Sequence, residues 1–284
     1  MAMALAQYAS LKEKLIYQAL VDTLQTSNQT MALWALGTTP KPQVQVNRIV
    51  TYPTVGAVDC STSITASNLS AAPVIFDFDT FESSVPMCWD VKASANEGGT
   101  AEEAVLTSLL RAAAEKMESL IIDGGTNFNG LDDLVVAGQT FTAAASSANL
   151  SDLSKAMRLT KGAGQRVFVA SGPTYDLIET TLKDSSVLSY QDLAGGAFNT
   201  ISYRGVPVVI NDNMTEGDVY LATLGGEGVQ VVFAESPGAK VGGVFDIVNI
   251  PMALGSINEY TRILFRATQV LANPQALTKI IHFA

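Results

Sequence analysis

Two aspartates in one short apolar segment, Asp77 and Asp79 in the sequence VIFDFDT, are the residue types best placed for chemistry in this chain of 284 residues. A pair of carboxylates can supply a nucleophile and a ligand for Mg²⁺. An ordinary strand explains the same letters, because Phe76, Phe78 and Phe81 would mostly occupy one face while the aspartates point to solvent. The strand is the favoured interpretation.

The segment resembles the motif of haloacid-dehalogenase-type, Mg²⁺-dependent phosphatases, in which the first aspartate attacks phosphorus and the second handles the leaving-group proton. The residues that such an enzyme would add are Ser171, Lys183, Asp212 and Asp218. The match is imperfect, because Thr80 follows Asp79 directly, one place early. The enzyme would also need a helix after the nucleophile, packed on a parallel sheet, whereas residues 83–93 are predicted to stay extended. The phosphatase is kept as an alternative to a non-enzymatic function.

Other motifs with catalytic or ligand-binding potential are weaker. The glycine-rich pieces 161–164 and 224–228 lack the Gly-Lys-Ser/Thr of a phosphate loop, so they are predicted to be turns. The acidic stretch 211–218 misses the spacing of a calcium loop. His282 has no identifiable acid–base partner. No catalytic residue, cofactor or metal site is therefore predicted.

Cys60 and Cys88 lack metal-ligand spacing and are too few for a disulfide framework. They lie at similar distances in sequence from Val74, near which the tip of an extended loop is expected. A disulfide across that loop and two small buried thiols both remain open. Trp34 and Trp89 are predicted to anchor a core or an interface rather than to bind a ligand.

The composition fits a chain that buries surface, either in its own core or against other copies of itself. Of its residues 48% are hydrophobic and 15% charged, and the formal net charge is −10. No dense lysine and arginine cluster is present to grip nucleic-acid phosphates. The start of the sequence lacks the features of a signal peptide, and no stretch has the length of a membrane span. A cytoplasmic origin is the default expectation.

The first half of the chain is predicted to form a helix, a strand-rich segment and a second helix. Apolar residues at spacings near three and four predict the first helix over 10–36. Residues 43–93 are rich in Val, Ile, Thr and Ser, which predicts a long β-hairpin whose tip is expected near Asn68–Pro73. The clearest helix covers 100–123, about 36 Å at the usual rise per residue.

The second half is predicted to alternate short elements. Helices are expected over 150–160 and from Ser171 to about Asp184, on either side of a buried strand at 166–170. Further strands are expected at 201–204, 206–211, 218–224, 229–234 and 243–250. The stretch 257–271 alternates over a length unusual for a strand, and Pro274 begins a short helix.

This order of elements resembles the HK97-like major capsid proteins of tailed bacteriophages. Their shared order is an N-terminal arm, a long hairpin, a spine helix, a compact α+β lobe and a long strand back beside the spine. Residues 203–214 look like the family's Gly-x-Pro strand that ends in Asn-Asp. Residues 129–134 look like the segment after the spine, and 256–279 look like the closing strand and short helix. The resemblance covers nearly the whole chain and implies an α+β fold of this kind.

The resemblance implies five parts, in which the axial lobe would converge at five- and six-fold axes and the extended loop and the arm would reach onto neighbouring subunits. The five parts are an N-terminal arm (1–43), an extended loop with its base strands (44–99), a peripheral lobe with the spine helix (100–149), an axial lobe (150–250) and the closing strand and helix of the peripheral lobe (251–284). The function implied is structural, not enzymatic, and depends on burying surface between copies.

In such a family, subunits self-assemble through pentamers and hexamers into an icosahedral capsid that encloses phage double-stranded DNA without sequence-specific binding. Separate scaffolding, portal and decoration proteins would be its partners, no membrane would be involved, and the capsid would assemble in the host bacterial cytoplasm before it forms part of the virion. An encapsulin-type nanocompartment shell, which shares the fold but encloses a protein cargo, remains an alternative.

Two family variations can be judged from residues. Some members join a loop lysine to a neighbouring asparagine, but no lysine occurs between Val55 and Val91 and Lys92 lies at the loop's base, so no such crosslink is expected. No coiled-coil segment precedes the first helix, so either scaffolding is a separate protein or the chain is a processed form that begins at Met1, and the initiator Met favours a separate protein. Arg262 and Arg266 share one face of the long strand. Pairing with a neighbour's acids and simple solvation are both open for them.

Overall fold

The computed structural model describes residues 29–51, 70–88, 100–143, 149–193, 198–235, 244, 246–250 and 258–283. Its helices are α1 (Gln29–Leu33), α2 (Thr100–Asp123), α3 (Leu131–Leu134), α4 (Leu150–Leu159) and α5 (Gly172–Asp184), with 3₁₀ turns at Ala137–Gln139 and Pro274–Ala276. Its strands are β1 (Leu36–Thr39), β2 (Gln43–Thr51), β3 (Ser70–Asp77), β4 (Asp79–Cys88), β5 (Thr140–Thr142), β6 (Gln165–Ala170), β7 (Ser189–Leu193), β8 (Phe198–Tyr203), β9 (Val206–Ile210), β10 (Val219–Leu224), β11 (Val229–Ala234), β12 (Asp246–Ile250), β13 (Asn258–Leu271) and β14 (Leu277–Ile281).

Most strands belong to one mixed sheet. Its main path is β12–β13–β11–β10–β6–β9–β8–β7. Strand β4 joins β13, β1 joins β11, and β14 joins both β10 and β5. Strands β2 and β3 form a separate antiparallel pair.

The central strands β6 and β10 separate two hydrophobic clusters. Val167, Val169 and Tyr220 lie in the cluster that contains the buried face of α2. Their neighbours Phe168 and Leu221 lie in the cluster that α4 and α5 cover. Side chains alternate between the faces of a strand, so one sheet supports the long helix on one side and a layer of two shorter helices on the other.

The long helix α2 has the predicted bounds, 100–123. Its buried residues include Leu109, Ala113 and Met117, and small alanines allow it to pack closely on the sheet. It ends at Gly124, whose φ of 76° is in the left-handed region that glycine adopts without steric cost. The Gly124 amide donates to the Leu120 carbonyl at 2.9 Å.

The long strand β13 is paired along both edges. Its residues Asn258–Ala267 pair with the whole of β4, and its other edge pairs with β12 and then with β11. Ile263, Phe265 and Ala267 are buried and alternate with half-buried residues, which is the pattern predicted for 257–271.

The first helix is predicted too long at its C-terminal end. Its residues 10–28 lie outside the described part of the chain. Helix α1 ends at Leu33, and Leu36–Thr39 forms strand β1, parallel to Val231–Ala234. The spacing of the leucines is also compatible with a helix. Here the pairing with β11 determines the structure, because tertiary contacts often outweigh local helix propensity.

The tip of the long hairpin was also misplaced in sequence. Val74 pairs with Val46 in the middle of the β2–β3 ladder, so it is not a hairpin tip, and the residues that connect the two strands, 52–69, lie outside the described part of the chain. Cys88 lies in β4, where it pairs with Asn258. The symmetric placement of Cys60 and Cys88 about Val74 is therefore wrong, while Cys60 itself lies outside the described residues and the disulfide stays untested.

Candidate assembly surfaces

The residues that a phosphatase would need are not gathered into one site. The exposed Asp77 accepts a hydrogen bond from Gln43 Nε2 at 2.6 Å. Ser171 is buried and shares a hydrogen bond with Thr174, and Asp218 pairs with Lys279 rather than with Lys183. Strands β13, β11 and β10 lie between β4, which begins at Asp79, and β6, which precedes Ser171. The geometry gives the phosphatase no support.

Asp79 has a positioning role that the sequence did not indicate. Rather than facing solvent, its carboxylate accepts hydrogen bonds from the Asn127 and Phe128 amides at 3.0 and 3.1 Å and from Asn127 Nδ2 at 3.1 Å. Those residues follow the end of α2. Asp79 therefore fastens the junction between β3 and β4, at the base of the long hairpin, to the loop that leaves the spine helix.

A second polar cluster joins α3 to the sheet. Lys279 Nζ lies 2.6 Å from Asp132 Oδ1 and 2.9 Å from Asp218 Oδ2. The Tyr220 hydroxyl also donates to Asp132, and the Lys279 ammonium lies over the Tyr220 ring. The side chains of Lys279 and Asp218 are both only 13% exposed, so the ion pair between them is largely shielded from water.

The pKa values in this cluster follow from these contacts. Burial acts to raise the pKa of Asp132, but the hydrogen bonds from Lys279 and Tyr220 outweigh it and hold that pKa below its ordinary value. Burial acts to lower the pKa of Lys279, and its hydrogen bonds to Asp132 and Asp218 outweigh that effect and raise it. Burial, together with the Asp132 carboxylate, raises the pKa of Tyr220 well above its ordinary value. The cluster is thus a structural ion network with its ordinary charges.

The β2–β3 hairpin offers one face to the molecule and one to solvent. Val46, Val74 and Phe76 pack against the main cluster. On the opposite face Ile75 is 57% exposed. A two-stranded ribbon is barely stable alone, so its buried face must hold it in place. The other exposed side chains on the outer face include Gln43, Gln45, Asn47 and Asp77, so it is a largely polar surface with one large exposed apolar side chain.

Arg48 anchors the buried face of this hairpin. Its Nε and Nη2 donate to the Leu271 carbonyl at 3.2 and 2.9 Å, and its guanidinium lies 5.6 Å from the centre of the Phe76 ring. Partial burial lowers the pKa of Arg48. The contact ties the hairpin to the end of β13.

The two arginines of β13 do not behave alike. Arg262 Nη1 lies 3.5 Å from Glu82 Oε1 of β4. Arg262 therefore already has an acidic partner within its own chain, and pairing with an acid of a neighbouring subunit is not needed to explain it. Arg266 lies opposite Thr80 in the ladder and is half-buried.

The remaining sequence candidates have ordinary structural positions. Trp34 is 3% exposed in the main core, so it is a core anchor, and Trp89 lies outside the described residues. His282 is exposed and has a positive φ of 58°. Within the described ranges, no group of three metal-binding side chains occurs and no helix is long and apolar enough to cross a membrane.

Strand β7 forms the end of the main sheet. Tyr190 on this strand is 59% exposed and Val187, just before it, is 45% exposed. An edge strand presents unpaired backbone groups that can pair with another chain. Sequence reasoning missed β7 because SYQDL carries few β-branched residues.

No protein-family model matches the sequence, and a comparison with curated proteins finds no match either. Solved structures do match in shape. The SrpI encapsulin complex of Synechococcus elongatus PCC 7942 gives a TM-score of 0.73 at 15% identity, over 89% of this chain and 86% of that chain. The capsid of an empty GTA particle gives 0.68 at 10% identity over 91% and 90%, and a structure from Mycobacterium phage Bobi gives 0.61 at 13% over 89% and 90%. The predicted α+β class and HK97-like fold are confirmed.

Proposed function

We propose, on the premise of the HK97-like fold, that this chain is a major capsid protein and not an enzyme. Its copies would assemble through pentamers and hexamers into an icosahedral capsid around phage double-stranded DNA. The observation that carries the proposal is the coverage of the capsid match, which spans 91% of this chain and 90% of the other. The part of the chain that could host a separate activity is correspondingly small.

The surfaces described above suit the proposed parts. The spine helix and β13 would belong to a peripheral lobe (100–149 and 251–284), and α4, α5 and β6–β11 to an axial lobe (150–250). The exposed face of the β2–β3 hairpin, within the proposed loop 44–99, would lie on a neighbouring subunit, as would the proposed arm 1–43. Burial of surface between copies, including exposed apolar side chains such as Ile75, would supply the free energy of assembly.

The proposed partners follow from the proposed capsid function. Scaffolding, portal and decoration functions would come from separate proteins. The capsid would form in the cytoplasm of a host bacterium and become part of the virion. The enclosed DNA would be held without sequence-specific contacts, and the formal net charge of −10 argues against a strong grip on its phosphates.

A nanocompartment shell is the second candidate, because the SrpI encapsulin complex matches with a TM-score of 0.73. The two functions share a subunit fold and a closed shell. They differ in contents, since a capsid encloses nucleic acid and a nanocompartment encloses protein.

Electron microscopy of the overexpressed chain tests the proposal. We expect negative-stained samples to contain uniform polyhedral shells, tubes or capsomer rings. A subunit that remains monomeric at all concentrations would contradict a shell function of either kind. Native particles that contain nuclease-protected DNA support the capsid, and native particles that contain a second protein but no DNA support the nanocompartment.

A further inference from the structure

Apart from Asp152, which is buried in the first turn of α4, the segment that contains α4 and α5 carries its charges in two separate groups. Between Leu153 and Tyr175 there are four cations and no carboxylate, and between Asp176 and Leu193 there are four carboxylates and one lysine. We call the first group the basic flank (Lys155, Arg158, Lys161 and Arg166) and the second the acidic flank (Asp176, Glu179, Asp184 and Asp192). A chain with net charge −10 thus has one locally positive surface beside a negative one.

The basic flank is contiguous around the C-terminal end of α4. Lys155 and Arg158 are exposed and lie three residues apart on one helix, which makes them surface neighbours. Lys155 Nζ lies 4.0 Å from the centre of the Phe141 ring of β5, and Arg166 donates to the Met157 carbonyl. Glu227 is the nearby acid, because its Oε2 accepts from the Ala163 amide at 3.1 Å. The helix dipole favours cations at this end but acts only over the last turn, so it does not account for Lys155.

The acidic flank surrounds the open edge of the sheet. Tyr190 on β7 donates to Glu179 of α5 at 3.1 Å, which places the acids of the helix beside the edge strand. Asp184 and Asp192 are exposed, as are the apolar side chains of Val187 and Tyr190. This flank therefore combines negative charge with exposed apolar surface and unpaired backbone groups.

The strand beneath Lys155 and the strand that carries Tyr190 lie far apart along the sheet, whereas Arg166 lies on β6, three steps from β7. From Phe141, on β5, the path to Tyr190 runs through β14, β10, β6, β9 and β8 to β7. Six steps between strands correspond to about 29 Å along the sheet. Within the described residues, no ion pair joins a cation of the basic flank to a carboxylate of the acidic flank, so the charges of both are left for another molecule.

We propose that the basic flank of one subunit docks against the acidic flank of the next subunit around each ring of the shell. A closed ring needs two different, complementary surfaces on every copy, whereas a two-fold contact would put like charges together. The occupant of each flank is therefore a second copy of this chain. This inference rests on the proposed shell function and adds the residues and the direction of the contact.

Charge reversal tests the contact. One variant reverses the basic flank (Arg158→Glu with Lys161→Glu), a second reverses the acidic flank (Asp184→Lys with Asp192→Lys), and a third combines all four changes at unchanged net charge. We expect the concentration needed for assembly to rise by at least about tenfold in each single-flank variant and to return to within about threefold of wild type in the combined variant. Wild-type assembly should also weaken as salt is added.

The outcomes separate this inference from the function on which it rests. Melting temperatures of the unassembled variants within about 3 °C of wild type show that the fold is intact. If wild-type shells form and the single-flank variants assemble at wild-type concentrations, the flank contact is wrong while the shell function stands. If wild type forms only small rings that either reversal abolishes, the contact stands and the shell function is wrong. A combined variant that folds but does not assemble also overturns the contact.

Discussion

Several polar side chains in this molecule form hydrogen bonds or ion pairs that join segments far apart in sequence. Lys279 joins Asp132 and Asp218, which are 147 and 61 positions away in sequence. Asp79 and Arg48 likewise bond to loop and strand-end backbone far along the chain. None of these pairings is visible in sequence spacing, because each depends on where the sheet brings remote strands together. The apolar residues that form the strands were predictable from their alternation, and their polar partners were not.

The Lys279 network should contribute measurably to stability. We expect Lys279→Met to lower the free energy of unfolding of the unassembled subunit by about 2 kcal/mol, since Asp218 would remain buried without its cation. Asp132 contributes less because its side chain is 53% exposed. Denaturant unfolding measures the change. The control Lys183→Met alters an exposed lysine and should stay within about 0.5 kcal/mol of wild type; equal losses in both variants would contradict the assignment.

The same network predicts a pH range. The folded-state pKa of Asp132 lies below its ordinary 3.8, so its contribution is complete above that value and is lost as the pH falls through the folded pKa. The pKa of Lys279 lies above its ordinary 10.5, so its contribution is complete below 10.5 and is lost as the pH rises through the folded pKa. The stability difference between wild type and Lys279→Met should be constant between about pH 5 and 9 and shrink outside that range.

At the scale of elements, the long and strongly patterned segments were predicted well. Helix α2 has its predicted bounds, and β13, α4, β6 and α5 lie within a few residues of theirs. The prediction of a helix up to residue 36 was wrong where β1 begins. Leu33, Trp34 and Leu36 fit the spacing of a helix as well as that of a strand, and only the parallel pairing with β11 decides for the strand. The hairpin tip was misplaced because only Phe78 separates β3 from β4. The sequence therefore gives no sign that the chain stops pairing with β2 there and begins to pair with β13.

The junction between β3 and β4 gives a matched pair of substitutions. Asp79→Ala removes the acceptor for the amides of Asn127 and Phe128, so we expect a loss of about 2 kcal/mol in unfolding free energy. Asp77→Ala removes one exposed contact with Gln43 and should cost no more than about 0.5 kcal/mol. Hydrogen exchange at Phe128 should accelerate in the first variant alone. The reverse order of effects, or Mg²⁺-dependent phosphatase activity lost in Asp77→Asn, would restore the catalytic interpretation.

At the scale of the whole molecule, the shell should be held by non-covalent contacts. No lysine occurs between Val55 and Val91, so the loop cannot supply the amine for a bond to a neighbour's asparagine. We expect purified shells boiled in detergent to run as a single band of subunit size. A ladder of multiples, together with crosslinked peptides in mass spectrometry, would show that another lysine takes that role.

The double-edged pairing of β13 also governs when the subunit can fold. Strands β4, β11 and β12 are all synthesised before Asn258–Leu271; that segment is the ladder partner of β4 and β12 and covers a further edge of β11. A nascent chain therefore leaves the ribosome with several strand edges open, and its core closes only when this late strand arrives. Pairing of Leu36 with Val231 adds a further contact between remote segments, which is typical of slow folding. Until that closure, a chain exposes unpaired strand edges and apolar surface, which makes unfinished chains prone to aggregation.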